Sequence, residues 1–129
     1  MKRATGLGGV FFKAKDPKAL AAWYKQHLGL NVDEAWNGCI FGWRDAEDPE
    51  KPGTTVWSAF KDSTDYFGPA ENRWMINYRV EDLDAVLAAL RAEGVWVDEK
   101  VMDSEFGRFG WAMDSEGNRI ELWQPPAGQ

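Results

Sequence analysis

The sequence predicts an α+β fold in which two βαβββ units form one cup-shaped mixed sheet with helices on its convex side. Three observations lead there: an internal repeat, strands whose two faces differ in character, and helices bounded by Asp at the start and Gly at the end. The stretch "GVFFKAKDPKALAAWYKQHLGL" (9–30) is echoed by "MINYRVEDLDAVLAALRAEGV" (75–95). Asp16 falls on Asp82, Phe12 on Tyr78, Ala14 on Val80, Lys13 on Arg79 and Leu20 on Val86. A second echo sets "FGWRDAEDPEKPGTTVWSAF" (41–60) beside "FGWAMDSEGNRIELWQP" (109–125) and matches Trp57 to Trp123. Two echoes in the same order indicate duplicated halves of about sixty residues each.

Each half reads as strand, helix, then three strands. The first strand alternates through Gly9 to Ala14. Asp16 then caps a helix, its carboxylate suited to accept an unpaired amide, with Pro17, which has no N–H to satisfy, at the first position. Leu20, Trp23, Tyr24 and Leu28 form that helix's apolar stripe, and Gly29 ends it. "NVDEAWNGCIFGW" is expected to be a hairpin closed by Asn37-Gly38, with Thr54 to Lys61 as the fourth strand. Residues 62–71, rich in turn formers, connect unit one (about 6–61) to unit two (about 72–124). The second helix starts at Asp82, buries Leu83, Val86, Leu87 and Leu90, and stops before Gly94. Val95–Val101, Phe106–Met113 and Asn118–Gln124 are the expected later strands, with Gly117 closing the last hairpin. "PPAGQ" is expected to fray.

Parity sorts the strands into two rows. Val10, Phe12 and Ala14, then Ile76, Tyr78 and Val80, then Ile120 and Leu122 form the row that meets the helices. Gly9, Phe11 and Lys13, then Met75, Asn77 and Arg79, then Arg119, Glu121 and Trp123 form a mixed row that suits a ligand-facing hollow. Matching Trp57 to Trp123 puts Trp57 in the same row.

Bulk properties bound the function. The 129 residues suit one domain, 1–129. A net charge of −6 without a basic stripe argues against nucleic acid. No apolar run reaches the length of a membrane span, and the N-terminus lacks the apolar segment of a signal peptide. The single Cys39 fits a reducing cytoplasm. Eight tryptophans in 129 residues is unusual; most are expected to fill the core, and a few to line a pocket for a flat ligand. His27, the one histidine, falls at a helix end, and Cys39 reads as a small buried hydrophobe.

The strand-Asp-helix-Gly-Leu pattern at 9–30, its echo at 75–95, and "DSEGNRIELW" together resemble the vicinal oxygen chelate superfamily, which includes glyoxalases, bleomycin resistance proteins and extradiol dioxygenases. The last stretch resembles that family's closing Asp-Pro-Asp-Gly-Asn-x-Ile-Glu-Leu. The resemblance implies a homodimer, and in enzymes a divalent metal held by His, Gln or Glu from the first and last strand of each unit. Those positions fall on Gly9, Met75, Thr55 and Glu121. Only Glu121 is a credible ligand, so neither a metal nor another cofactor is expected. Glu121 is expected to pair with Arg79, Arg119 or Lys13, or to anchor a ligand. The expected site comprises Phe11, Trp57, Met75, Asn77, Arg79, Glu121 and Trp123. Its expected role is binding a planar or cationic small molecule, such as an antibiotic or metabolite. The alternatives are a metal-dependent lyase, isomerase or dioxygenase, and a metal-independent enzyme using Glu121 with an arginine. Tyr66 and Phe67 in the connector are expected to cover one rim.

Overall fold

The computed structural model describes residues 2–129. Its elements are β1 (Gly6–Ala14), α1 (Pro17–Leu28), β2 (Gly38–Arg44), β3 (Pro52–Lys61), β4 (Trp74–Arg79), α2 (Leu83–Ala92), β5 (Met102–Ser104), β6 (Gly107–Met113) and β7 (Arg119–Gln124). One open, mixed seven-stranded sheet takes the order β2-β3-β1-β4-β7-β6-β5. β1 and β4 lie antiparallel at its centre, and each has a parallel outer partner, β3 or β7. The central register repeats the sequence duplication: Gly9 faces Asn77 and Phe11 faces Met75. A two-fold relation that exchanges 9 with 75 and 11 with 77 requires those two pairings.

Both helices start as their sequences require. The Asp16 carboxylate accepts from Ala19 N at 3.0 Å, and that of Asp82 from Ala85 N at 3.1 Å, satisfying amides that have no carbonyl within the helix. Gly29 closes α1 with φ +70°. Gly94, at φ +81°, follows α2. α2 buries Leu83, Val86 and Leu87 against Val80 and Leu122, with Leu90 packed alongside. α1 lies over β1 and β3, where Ala21 and Tyr24 meet Val10, Phe12, Cys39 and Trp57. The apolar row of β1, β4 and β7 therefore does meet the helices.

Several local expectations change. Trp23 and Leu28 of α1 are exposed, Trp23 lying against His27 at 4.8 Å; the helix contacts the sheet through a narrower strip centred on Ala21. Asn37 does take a left-handed φ of +56°, but residues 33–38 form a helical-type turn bridged at Asp33–Gly38, not a two-strand hairpin. Asp33 O accepts from both Trp36 and Asn37, which holds that turn. Val95–Val101 gives a single bridge, Val97–Ala112, before β5 begins at Met102. Asp98 turns the chain there by accepting from Lys100 N at 3.0 Å. Pro125–Gln129 folds back over the sheet end, with Gln129 N donating to Pro126 O at 3.2 Å.

Candidate functional site on the concave face

The sheet face opposite the helices has a sealed centre and an open end. Glu121 projects from the middle of β7, only 2% exposed. The turn that delivers it is built by Asp114, whose Oδ1 accepts from Glu116 N and Asn118 N, each at 2.9 Å, with Gly117 at φ +82°. β7 then places Glu121 beside Asn77 of β4 and opposite Trp111 of β6. Asn77 Nδ2 donates to its Oε1 at 2.6 Å, and Trp111 Nε1 donates to its Oε2 at 2.9 Å. The Tyr66 hydroxyl, from the connector, donates to Oε2 as well.

Burial raises the Glu121 carboxyl above its ordinary range; hydrogen bonds from Tyr66, Asn77 and Trp111 and the charge of Arg119 pull the other way and do not overturn it. The same enclosure and the neighbouring acid push the Tyr66 phenol up, so it stays protonated as a donor. None of the three cations expected to pair with Glu121 does so. Arg119 lies over the Trp111 ring at 5.5 Å and binds Asp98 at 3.3 Å. Lys13 Nζ donates to Ala70 O at 3.0 Å. Arg79 turns to the open end.

Phe67 fills the rest of the hollow. It is fully buried and packs with Phe11, Met75 and Trp111, flanked by Val56, Phe60 and Tyr66. The connector thus plugs the centre of the cup and does more than cover a rim. Phe11, Met75, Asn77, Arg79, Glu121 and Trp123 all sit on this face as expected. Trp57 does not: it packs edge-on to Phe12 at 5.0 Å and Tyr24 at 4.9 Å, beneath α1. β1 sets that orientation, because Val10 pairs with Trp57 and Phe11 with Ser58. Glu121 pairs with Asn77 as Ser58 pairs with Phe11, so the counterpart of Glu121 in the first half is Ser58, not Thr55. An odd shift in register reverses every side chain of a strand.

At the open end, Arg79 lies between two indoles, with its guanidinium carbon 5.3 Å from the Trp43 ring and 5.1 Å from that of Trp123. Trp123 stacks in turn on Phe109 at 6.0 Å and donates to Phe106 O at 2.7 Å. Trp43 is fixed by its bond to Thr55 Oγ1 at 2.8 Å, and Thr55 by Leu7 O at 2.6 Å. A cavity of about 350 Å³ opens there, lined by Trp43, Pro52, Arg79, Pro125, Pro126 and Gln129 among others. Sequence reasoning missed Trp43 and Trp111, and gave Tyr66 no bond to Glu121. Tyr66 reaches Glu121 across 55 residues, whereas Trp111 faces it across the β6–β7 hairpin, 10 residues away.

Gly8 lets these groups approach. A Cβ there would stand 2.1 Å from Asn77 Oδ1 and 2.9 Å from Trp123 Cε3. Asn77 Nδ2 is bonded to Glu121 Oε1 at 2.6 Å, so withdrawing the amide costs that bond. Gly8→Ala is therefore expected to lose about 1–3 kcal/mol of stability, read from urea unfolding. A wild-type midpoint would show that Asn77 is free to move.

The metal implied by the resemblance finds no suitable donor set. Gly9, Met75 and Ser58 or Thr55 offer a hydrogen, a thioether and a hydroxyl, and both oxygens of Glu121 already accept hydrogen bonds. Among the described residues, no group of three or more His, Cys, Asp or Glu is placed to hold an ion. No described helix is long and apolar enough to cross a membrane.

A family model described as a glyoxalase-like domain matches residues 9–123. No curated protein matches the chain. Among solved structures, a methylmalonyl-CoA epimerase in complex with methylmalonyl-CoA and ammonium superposes with a TM-score of 0.72 at 18% identity, covering 98% of each chain. Methylmalonyl-CoA epimerase from Mycobacterium tuberculosis gives 0.63 at 21% identity, covering 98% of this chain and 91% of that one. A Streptomyces coelicolor variant of that enzyme in complex with 2-nitronate-propionyl-CoA gives 0.71 at 17%, covering 98% of both. At these identities the likeness establishes the shared fold.

Proposed function

The chain belongs to the glyoxalase-like domain family of the vicinal oxygen chelate superfamily, and on that premise we propose that it is a small-molecule-binding protein that captures a planar ligand without a catalytic metal. One observation carries this reading: the four positions the resemblance assigns to metal ligands supply a single carboxylate, already engaged by three neutral donors. The open space lies at the other end of the same face, beside Trp43 and flat proline surfaces. A ring slotted there gains stacking contact and leaves water. A cationic ligand would have to displace Tyr66 to reach Glu121, so planarity supports the reading more than positive charge does.

Tryptophan fluorescence tests it: a panel of planar aromatic compounds is expected to quench the emission saturably. Absence of any response across the panel would sink the proposal. The other reading, a metal-dependent lyase, isomerase or dioxygenase of the glyoxalase type, predicts one zinc, nickel, iron or manganese ion per chain by elemental analysis. Our reading predicts well below that, and a stoichiometric ion would reverse the assignment. A homodimer belongs to the same proposal; exposed Ile40 and Phe41 on edge strand β2 support it, and a monomer by light scattering would remove it. So does a reducing, cytoplasmic setting, supported by the lone, buried Cys39.

A further inference from the structure

The two edges of the sheet are built differently. β5 is three residues long, whereas β2 has seven and lies at the opposite edge with β3 as its neighbour. An edge strand leaves alternate N–H and C=O groups unpaired, and proteins ordinarily blunt it with a charge, a proline or a bulge. From Cys39 to Trp43, β2 has no charge and no proline, and it pairs with β3 without a register shift. Ile40 is 59% exposed and Phe41 48% exposed. A Cβ added to Gly42 would meet nothing within 4 Å. The free run has defined ends. Gly38 pairs with Ser58 and is bridged on its other side by Asp33, so Cys39 is the first residue open outward, and Arg44 ends the strand. Asp33 and Arg44 are exposed and opposite in sign. Among the described residues neither forms an ion pair.

We propose that β2 pairs with β2 of a second copy of this chain, antiparallel about a two-fold axis at Phe41, so that one sheet runs through both copies; the proposal rests on the homodimer in the reading above. Directly opposed residues of an antiparallel pair share a face. Ile40, which pairs with Val56 on the concave side, then lies beside the partner's Gly42, where no side chain competes for the space. The two Phe41 rings meet across the axis and leave water together. Arg44 arrives next to the partner's Asp33, which gives the run a charge pair at each end. An axis at Gly42 would set Ile40 against the partner's Arg44 and place two glycines at the centre, losing both the aromatic pair and the charge pairs. The contact is isologous, so it closes with two copies and leaves no β2 edge for a third.

Sedimentation of the full chain over a concentration series tests the pairing. Phe41→Lys and Phe41→Glu each set like charges directly opposite one another across the axis, and each is expected to raise the dimer dissociation constant at least about tenfold. An equimolar mixture of the two variants brings opposite charges together there and is expected to recover at least about tenfold of that loss. A wild-type dimer that neither variant weakens overturns the β2 contact, while a dimer through another surface stands. Weakening that the mixture does not reverse overturns the axis at Phe41. A wild type that stays monomeric throughout overturns both this contact and the homodimer, and leaves ligand capture to its own fluorescence test. Should the variants fail to fold, isotope-filtered NMR on a mixture of labelled and unlabelled wild type decides. Intermolecular cross-peaks are expected between the Ile40 methyls and the partner's Gly42 α-protons, and intermolecular cross-peaks confined to other elements overturn the proposal.

Discussion

Replacing Glu121 with Ala is expected to lower the free energy of unfolding by about 3–5 kcal/mol, while Gln costs about 1 kcal/mol or less. The Ala variant removes the common acceptor of Asn77 Nδ2, Trp111 Nε1 and the Tyr66 hydroxyl, and leaves a hole among them. Buried donors without acceptors lose their full hydration and regain nothing. Gln retains one acceptor oxygen for Trp111 and Tyr66. Its amide nitrogen would face Asn77, whose Oδ1 is buried without a partner, so a rotated Asn77 amide satisfies it. Thermal unfolding reads the difference as a shift on the order of 10 °C or more for Ala. Equal losses for Ala and Gln would mean that the second carboxylate oxygen, not side-chain volume, sets the cost.

The Gln variant also isolates a pH dependence. Because burial raises the folded-state pKa of Glu121 above its ordinary 4.5, the folded chain holds that proton more tightly than the unfolded chain. The stabilisation is full below the unfolded value and is lost as pH rises through the folded value. Wild-type stability relative to Glu121→Gln should therefore fall as pH climbs from about 4.5 toward neutrality. A difference that is flat over that span, or that grows, would show that the three hydrogen bonds outweigh desolvation.

Phe67→Ala is the second large effect, about 3–5 kcal/mol. The ring is fully buried, packs on Phe60 at 5.1 Å and has Lys13 Nζ 5.8 Å from its centroid. Its loss opens a hollow edged by Phe11, Met75 and Trp111. Such a cavity stays dry and accepts small apolar guests, so benzene is expected to restore part of the lost thermal stability. A variant that unfolds at the wild-type temperature would show that the connector is only loosely seated.

The sequence carried the central architecture because its signals are local. Asp16 and Asp82 mark their own helix starts, and alternation sorts β1, β4 and β7 without knowledge of their neighbours. Trp57 went astray because the face of β3 depends on its parallel pairing with β1, which no local pattern encodes. Matching it to Trp123 by residue type introduced an odd offset. Tyr66 was hidden for the same reason, since it arrives from the connector 55 residues away, while Trp111 needed only the register of the β6–β7 hairpin. Arg79 was placed on the correct face, but its partners, Thr54 and Gln129, became visible only in the folded chain.

The link from Tyr66 to Glu121 joins residues 55 apart in the chain, which ties the connector to the last strand. Phe67 rests on Phe11 and also on Met75 and Trp111, so its seat does not exist until β6 has docked. A nascent chain halted before β7 would carry an uncovered greasy sheet and a phenol with nothing to hold, and would be prone to clump with its neighbours. Backbone amides of residues 62–72 should accordingly exchange with deuterium in step with those of β7, as one cooperative unit.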